Sequence, residues 1–414
     1  MKKIRIIFLI LAVMFIMAAR FDTGIGEWYA LNLYPHISYG LSWLASWIPF
    51  SLEEVVALCA AALVIKILIR CIRKRSTFLC AVLGITEIAA WVFVWFYLGW
   101  GCNYYRENLY SRARIEKQEY DEEVFTRTLT EFIDSLNISF AVVMAQCPSG
   151  TVAPSNTVAP SSAETLDSVV TIADVEPLDS VMTPSNVATP TSVGVETPVR
   201  VRIPVKVETL SQANVSPADR VASYEEEIKA LYRMIPSNYG LAKPRSWQHP
   251  KDLLLNSLYS SVGVSGFMGP FFSEIQLNSN IPDEQLPFSY AHEYAHLLGV
   301  SNEDEANFWA YEICRRSDDP HVRFSSYFSI MPYFLINARR VLTDEQYKEV
   351  FAKVNPQIIS LHKALSEYWN SMSSELLDSI HNIIYNAFLK SNRIPSGTKN
   401  YLQVIDLILA FQNR

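Results

Sequence analysis

The sequence LPFSYAHEYAHLLG at residues 286–299 decides how this 414-residue chain is interpreted. Pro287 suits the first turn of a helix, where its missing N–H is not needed, and Gly299 suits the residue just past the end. The residues between them are mostly apolar. The sequence therefore predicts a capped, apolar helix of about three turns at this position.

Three polar residues on this helix, His292, Glu293 and His296, form the pattern HExxH. Residues four apart share one helical face, so both histidines can bind one metal ion through a ring nitrogen. Glu293 stands beside them, where a carboxylate can take a proton from a metal-bound water. The pattern therefore predicts a Zn²⁺ site with His292 and His296 as ligands and Glu293 as general base.

A catalytic zinc site usually takes three protein ligands, and the third is sought in the segment that follows. Asn302 occupies the position where the metzincin pattern has a histidine, which disfavours that class. Glu303 and Asn307 instead resemble the gluzincins, in which a ligand Glu is followed four residues later by a residue that orients a ligand His. Glu303 is the predicted ligand; Glu305 is the alternative, although with Asn302 as N-cap it is placed to fold back onto the backbone.

Other residues have weaker claims on the site. Arg323 and Tyr327 offer a guanidinium and a phenol for an oxyanion, or have a structural role. The segment 266–277 predicts either an edge strand that pairs with an extended substrate or a packed hairpin. The remaining isolated histidines are expected at the surface or in the core, namely His249, His321, His362 and His381.

Three apolar runs precede the polar part, at residues 4–19, 52–69 and 78–101. The third is long enough to cross a hydrocarbon layer of about 30 Å, and the first two can span with tilt. We therefore expect three transmembrane helices within residues 1–101. Glu87, inside the third run, is either a functional intramembrane carboxylate or a neutral or bundle-facing structural residue, and no role is assigned to it.

The orientation follows from the cations that flank the runs. Lys2, Lys3 and Arg5 precede the first run and four cations lie between the second and third, whereas the first connecting loop has only Arg20. By the positive-inside rule the chain starts in the cytoplasm and its polar part is extracytoplasmic, as for a multi-pass protein of a bacterial inner membrane. A cleaved signal peptide at the first run is the alternative, and it leaves this topology unchanged.

The polar part divides into three segments. Residues 102–147 begin the extracytoplasmic domain with an amphipathic helix from about Glu122. Residues 148–204, rich in Pro, Ser, Thr, Val and Ala, predict a disordered insertion. Residues 205–414 predict a metallohydrolase-like domain that is mainly α with a small sheet near 263–278. Its further predicted helices lie at 224–235, after a capping box at Thr343, and at 356–370, 373–390 and 400–412.

Composition excludes several classes of protein. The net charge of −7 and the absence of a basic stripe argue against nucleic acid as a partner. Six scattered cysteines are too few for a disulfide framework. The expected partners are the lipid bilayer and a peptide or protein substrate.

Several motifs together resemble an uncharacterised family of bacterial membrane proteins, catalogued as a domain of unknown function. They are the three apolar runs, the segment 100–106 (WGCNYYR), Pro270-Phe271, the block 292–307, residues 323–327 and residues 401–407. The resemblance implies the membrane architecture and the zinc-site pattern, and implies nothing about the substrate.

The residues therefore predict a membrane-anchored zinc metallohydrolase that cleaves peptide bonds with zinc-activated water. An amidase acting on cell-wall material is the alternative enzyme. A non-catalytic envelope protein, whose zinc is structural or lost, is the alternative of another class.

Overall fold

The computed structural model describes residues 2–74, 77–116, 121–146, 215–392 and 403–412. These residues are mostly helical and include one small sheet, as the sequence predicted. The predicted insertion at 148–204 lies outside the described residues.

The first half of the chain is helical. Its α-helices are α1 (Lys2–Phe21), α2 (Thr23–Trp28), α3 (Tyr34–Ser46), α4 (Leu52–Ile72), α5 (Phe78–Gly99), α6 (Leu109–Ala113) and α7 (Glu122–Gln146). A π-helical turn, Tyr29–Leu33, joins α2 to α3, and a 3-10 turn, Gly101–Tyr105, follows α5.

The second half adds ten α-helices among the described residues. They are α8 (Pro217–Val221), α9 (Glu225–Met234), α10 (Asn256–Ser260), α11 (Leu286–Leu297), α12 (Glu303–Cys314), α13 (Pro320–Val341), α14 (Asp344–Phe351), α15 (Pro356–Met372), α16 (Glu375–Ser391) and α17 (Val404–Gln412). A 3-10 turn, Ser237–Tyr239, follows α9. The helices predicted from spacing are confirmed as α7, α9, α15, α16 and, in its described part, α17, and both hydrogen bonds of the Thr343 capping box are present.

Several apolar helices are typical of a membrane protein, but their number differs from the prediction. Four helices are long and apolar enough to span, at Lys3–Phe21, Leu52–Ile72, Phe78–Gly99 and Glu122–Gln146, rather than three. The fourth is the most buried, at 39% of its apolar window against at most 17% for the others.

The apolar face of the fourth candidate, α7, packs inside the domain. Phe132 lies 4.3 Å from Phe334 and 5.5 Å from Tyr327 between ring centroids, so α7 is held against α13. Length and hydropathy alone do not distinguish such a packed helix from a membrane span, so α7 counts among the four candidate spans.

The sheet has three short strands, β1 (Pro250–Asp252), β2 (Gly266–Gly269) and β3 (Glu274–Leu277), in the order β1-β3-β2. β1 is parallel to β3, and β2 is antiparallel to it with Met268 opposite Ile275. The sequence predicted strand at 263–278, as either an edge strand or a packed hairpin, and missed β1; the structure has a hairpin there. β2 is an edge strand of this sheet.

The sheet is bound to the start of the second apolar helix. The Glu274 carboxylate accepts hydrogen bonds from the backbone N–H groups of Leu52 and Glu53, at 3.0 and 3.2 Å. A negative charge at a helix N-terminus is favourable because the first N–H groups of the helix lack backbone acceptors. Glu274, which had no predicted role, therefore attaches α4 to the domain.

Candidate metal centre

Helix α11 is fixed at both ends by features visible in its sequence. Pro287 lies in its first turn, and Gly299, with φ of +96°, occupies the left-handed conformation just past its end. A Cβ on Gly299 would lie 3.1 Å from the ring of Tyr34, so the position also requires a small residue.

The segment 100–106 packs against this C-terminal end of α11. Trp100 donates its indole N–H to the carbonyl of His296 at 2.9 Å, and Arg106 donates to the carbonyl of Gly299 at 3.3 Å. Tyr34 donates to the carbonyl of Leu297 at 2.7 Å. The carbonyl groups at the C-terminal end of α11 have no N–H donor within the helix, and these side chains donate hydrogen bonds to them. Helix α11 therefore packs directly on the end of α5.

Three side chains, His292, His296 and Glu303, converge where α11 meets α12. The Nε2 atoms of the two histidines are 3.1 Å apart, and Oε2 of Glu303 lies 3.1 Å from the first and 3.4 Å from the second. Their possible ligand atoms all lie within 4.8 Å of one another, and all three residues are buried. The structure thus brings together the three residues that the sequence ranked first as ligands.

Hydrogen bonds outside the cluster direct Nε2 of His296 and Oε2 of Glu303 toward it. Nδ1 of His296 lies 2.8 Å from the carbonyl oxygen of Val300, to which it can only donate. Nε2 of His296 is then the nitrogen with a free lone pair in the neutral ring. Tyr385, on α16, donates its hydroxyl to Oε1 of Glu303 at 2.8 Å, which leaves Oε2 directed at the histidines.

The charges of the cluster residues shift one another's pKa values. Burial lowers the pKa of His296, but the Glu303 carboxylate outweighs burial and raises that pKa to about 9. Burial raises the pKa of Glu303, and the two histidines outweigh it and hold that pKa well below its usual range. The site therefore favours one positive charge beside Glu303, and a proton and a metal ion would compete for the same donor atoms.

Glu293 is buried beside the cluster and faces strand β2. Burial raises the pKa of its carboxyl, whereas the neighbouring His292 and His296 lower it. A Cβ on Gly266 would lie 3.5 Å from Cγ of Glu293 and 2.8 Å from the backbone oxygen of Gln276. Glycine at 266 thus permits β2 to lie close to the predicted general base.

Glu305, the alternative ligand, is directed elsewhere. Arg112 donates to both of its carboxylate oxygens, and Trp309 donates its indole N–H to Oε1 at 3.2 Å. The expected fold-back of Glu305 onto the backbone at Asn302 is also wrong, because both carboxylate oxygens are engaged by other side chains. A buried arginine 193 residues away in sequence, rather than the helix N-terminus, engages this carboxylate.

Asn307 is fully buried one turn after Glu303, as its spacing predicted. Both of its amide atoms and Nδ1 of His292 lack a hydrogen-bond partner among the described residues. The predicted role of Asn307 in orienting a ligand histidine therefore stays a prediction, and no direct hydrogen bond carries it here.

Arg323 and Tyr327 do not reach the cluster. Arg323 donates to the carbonyl of Ser317 at 2.6 Å, close to the start of α13. The Tyr327 ring packs 5.8 Å from Tyr311 in the core between α7, α12 and α13. Neither residue lines the cleft that contains the cluster. Their contacts agree with the structural alternative, and a role in stabilising a transition state stays a prediction.

The cluster lies in a cleft of about 270 Å³. Its walls include residues 263–268 at β2, the aromatic residues Phe96, Trp100 and Tyr104, and the α16 residues His381, Tyr385 and Phe388. Sequence reasoning missed the α16 residues because nothing local links them to the HExxH helix. His381, expected at the surface or in the core, instead lines the cleft with Nδ1 unpartnered among the described residues, and burial lowers its pKa.

The other isolated histidines lie outside this cleft. His249 is mostly exposed and contacts Glu225 at 2.8 Å. Burial lowers the pKa of His321, and it lowers that of His362 to about 4. Their expected roles as surface or core residues agree with these positions.

The fold and the cluster define a class: a membrane protein with a helical domain that carries a buried His-His-Glu group. The chain belongs to the family described as "Protein of unknown function (DUF3810)", whose model matches residues 29–409. The predicted membership of a family of unknown function is thereby confirmed. No curated protein and no solved structure matches the chain.

Proposed function

We propose that the chain is a membrane-anchored zinc metallohydrolase. The observation that carries the proposal is the separation of 3.1–3.4 Å between the donor atoms of His292, His296 and Glu303. A tetrahedral zinc ion with ligand bonds of about 2.0–2.1 Å holds its donor atoms about 3.3–3.4 Å apart. Three protein ligands of this kind leave a fourth position for water, as in catalytic rather than structural sites.

Glu293 supplies the acid–base chemistry in this proposal. Zinc, when bound, would lower the pKa of a water and polarise the scissile carbonyl. The Glu293 carboxylate accepts the proton of that water and passes it to the leaving group. Burial, which raises its pKa, makes it a better base than an exposed carboxylate.

An extended peptide is the substrate class that the cleft favours. β2 lines the cleft, and its side away from β3 pairs with no strand among the described residues. A peptide could add to that edge through backbone hydrogen bonds, which would hold a carbonyl near the cluster. His381 also lines the cleft and could donate an N–H to a developing oxyanion, whereas the Tyr385 hydroxyl is engaged by Glu303.

The proposal includes three spans, α1, α4 and α5, with the domain on the extracytoplasmic side of a bacterial membrane. The N-terminus of α4 joins the domain through Glu274, and the C-terminus of α5 joins it through Trp100. The opposite ends adjoin the cationic stretch 70–75. The positive-inside rule places that end in the cytoplasm.

Zinc content tests the site directly. The full-length protein is expected to purify with about one zinc per chain, and His292→Ala to lose it, since one of three ligands is removed. His249→Ala is the matched control, because His249 is mostly exposed and pairs with Glu225. Equal zinc contents in the parent and His292→Ala, with both variants folded by circular dichroism, would contradict the ligand assignment.

A further inference from the structure

Helix α16 carries an exposed apolar face. Leu376, Ile380, Ile383 and Ile384 are between 47% and 72% exposed. Their spacing of three to four residues places them on one side of the helix. An exposed apolar stripe of this kind, on a helix whose other face lines the cleft, indicates an interaction surface.

The C-terminal end of α16 is attached to the ends of two apolar helices. Arg20, at the end of α1, donates to the carbonyl of Ser391 at 2.9 Å. Tyr97, near the end of α5, donates to Oδ1 of Asn392 at 2.7 Å. These are the domain-side ends of both spans.

The N-terminal end of α16 is connected to the domain-side end of the remaining span. The N–H of Ser374 donates to the carbonyl of Ser261, just after α10, at 2.9 Å. The N–H groups of Leu254 and Leu255, just before α10, donate to the carboxylate of Glu54 at 2.7 and 2.8 Å. Glu54 lies in the first turn of α4. The helix is about 25 Å long. Both of its ends are therefore connected by hydrogen bonds to the domain-side ends of the three spans, directly or through α10.

We propose that α16 lies in the interface of the membrane that α1, α4 and α5 cross, with its apolar face among lipid acyl chains. An amphipathic helix held parallel to a bilayer at this level buries its apolar side chains there. Leu254 and Leu258, at or just before α10, are also exposed, at 50% and 49%. Both ends of α16 are bonded to residues at the domain-side ends of the spans, so the helix lies next to the bilayer. A protein partner would have to insert between α16 and the bilayer, and lipid is therefore the proposed occupant of its apolar face.

This surface rests on the proposed spans α1, α4 and α5, but it does not depend on the proposed hydrolysis. The same helix reaches the metal cluster through Tyr385, so lipid contact and the geometry of the cleft are linked by one rigid element. The cleft accordingly lies at the membrane surface rather than at the far end of the domain.

Photocrosslinking in lipid nanodiscs tests the proposal without any assay of activity. Full-length protein carrying benzoylphenylalanine at Ile383 is irradiated in nanodiscs of phosphatidylcholine and phosphatidylglycerol, and adducts are identified by mass. Leu63, 51% exposed in α4, is the positive control, and the exposed Glu345 of α14 is the negative control. We expect phospholipid adducts at Ile383 and Leu63 and none at Glu345.

Two results would overturn the proposal. Lipid adducts at Leu63 without any at Ile383 would show that the face does not meet the bilayer. A cross-linked dimer at Ile383 would show that a second copy covers it. The same probe at Leu376, on the same face, repeats the test if the first variant does not fold.

Discussion

Tyr385→Phe tests how the metal centre is held, because it removes one hydroxyl that lies 2.8 Å from Oε1 of Glu303. A hydrogen bond to a charged group contributes about 1.5–3 kcal/mol. Loss of a partner that orients a metal ligand typically weakens metal binding by about 10- to 100-fold, which is about 1.4–2.7 kcal/mol. The two figures agree, so the zinc Kd of Tyr385→Phe is expected to rise by about 10- to 100-fold.

The assay is competition for zinc with a chromophoric chelator, at one pH, on full-length protein in detergent. Tyr368→Phe is the control, because its hydroxyl donates to the carbonyl of Asn280 at 2.9 Å and does not line the cleft. A Kd within about twofold of the parent, or an equal loss in Tyr368→Phe, would refute the role of Tyr385.

Three further predictions concern the carboxylates of Glu303 and Glu305, the buried carboxyl of Glu284 in the loop between β3 and α11, and the backbone of Gly299. Glu303→Gln should lose zinc, whereas Glu305→Gln should keep it. Glu305→Gln should instead lose about 3–5 kcal/mol of stability, because Arg112 is left buried without its counter-charge. Metal analysis and denaturant unfolding of both variants check this, and an equal loss of zinc in the two would contradict it. Burial raises the pKa of Glu284 to about 7, so the folded state binds this proton more tightly than the unfolded state and stability falls as pH rises from about 4.5 to about 7. At pH 8 Glu284→Gln should therefore be more stable than the parent, by up to about 3 kcal/mol, and should unfold at a higher temperature. At pH 4 the two proteins should unfold at the same temperature. A difference that does not change with pH would contradict the assignment. Gly299→Ala should lower stability by about 1–2 kcal/mol in the same unfolding assay, because alanine is strained in the left-handed conformation, and an unchanged midpoint would contradict this.

Residues close together in sequence were the predictable part of the site. Helical spacing alone places His292 and His296 on one face, and the next helix begins with Glu303. The choice between Glu303 and Glu305 was harder, because the sequence shows a local capping possibility and not the distant Arg112 that engages Glu305. Local rules of helix capping are weaker than a buried ion pair, and the ion pair decided the direction of that carboxylate.

Contacts between distant segments were not predictable. Tyr385 lies 82 residues from Glu303 and has no motif around it, so nothing local connects α16 with the cleft. The amphipathic pattern of α7 predicted a helix of the domain, but it did not show that the partner of its apolar face is α13. Arg323 and Tyr327 lie on α13, away from the cleft, and residue type alone does not specify which neighbour a side chain meets.

Turnover by the full-length protein and by Glu293→Gln, with zinc measured in the same samples, tests the central claim most directly. Zinc should be about one per chain in both proteins, because Glu293 is not a ligand. The parent should cleave a fluorogenic peptide library, Glu293→Gln should be slower by about 10²–10⁴-fold, and Glu123→Gln, an exposed control on α7, should match the parent. Bound zinc without Glu293-dependent cleavage would contradict the hydrolase and favour a binding protein with a structural metal.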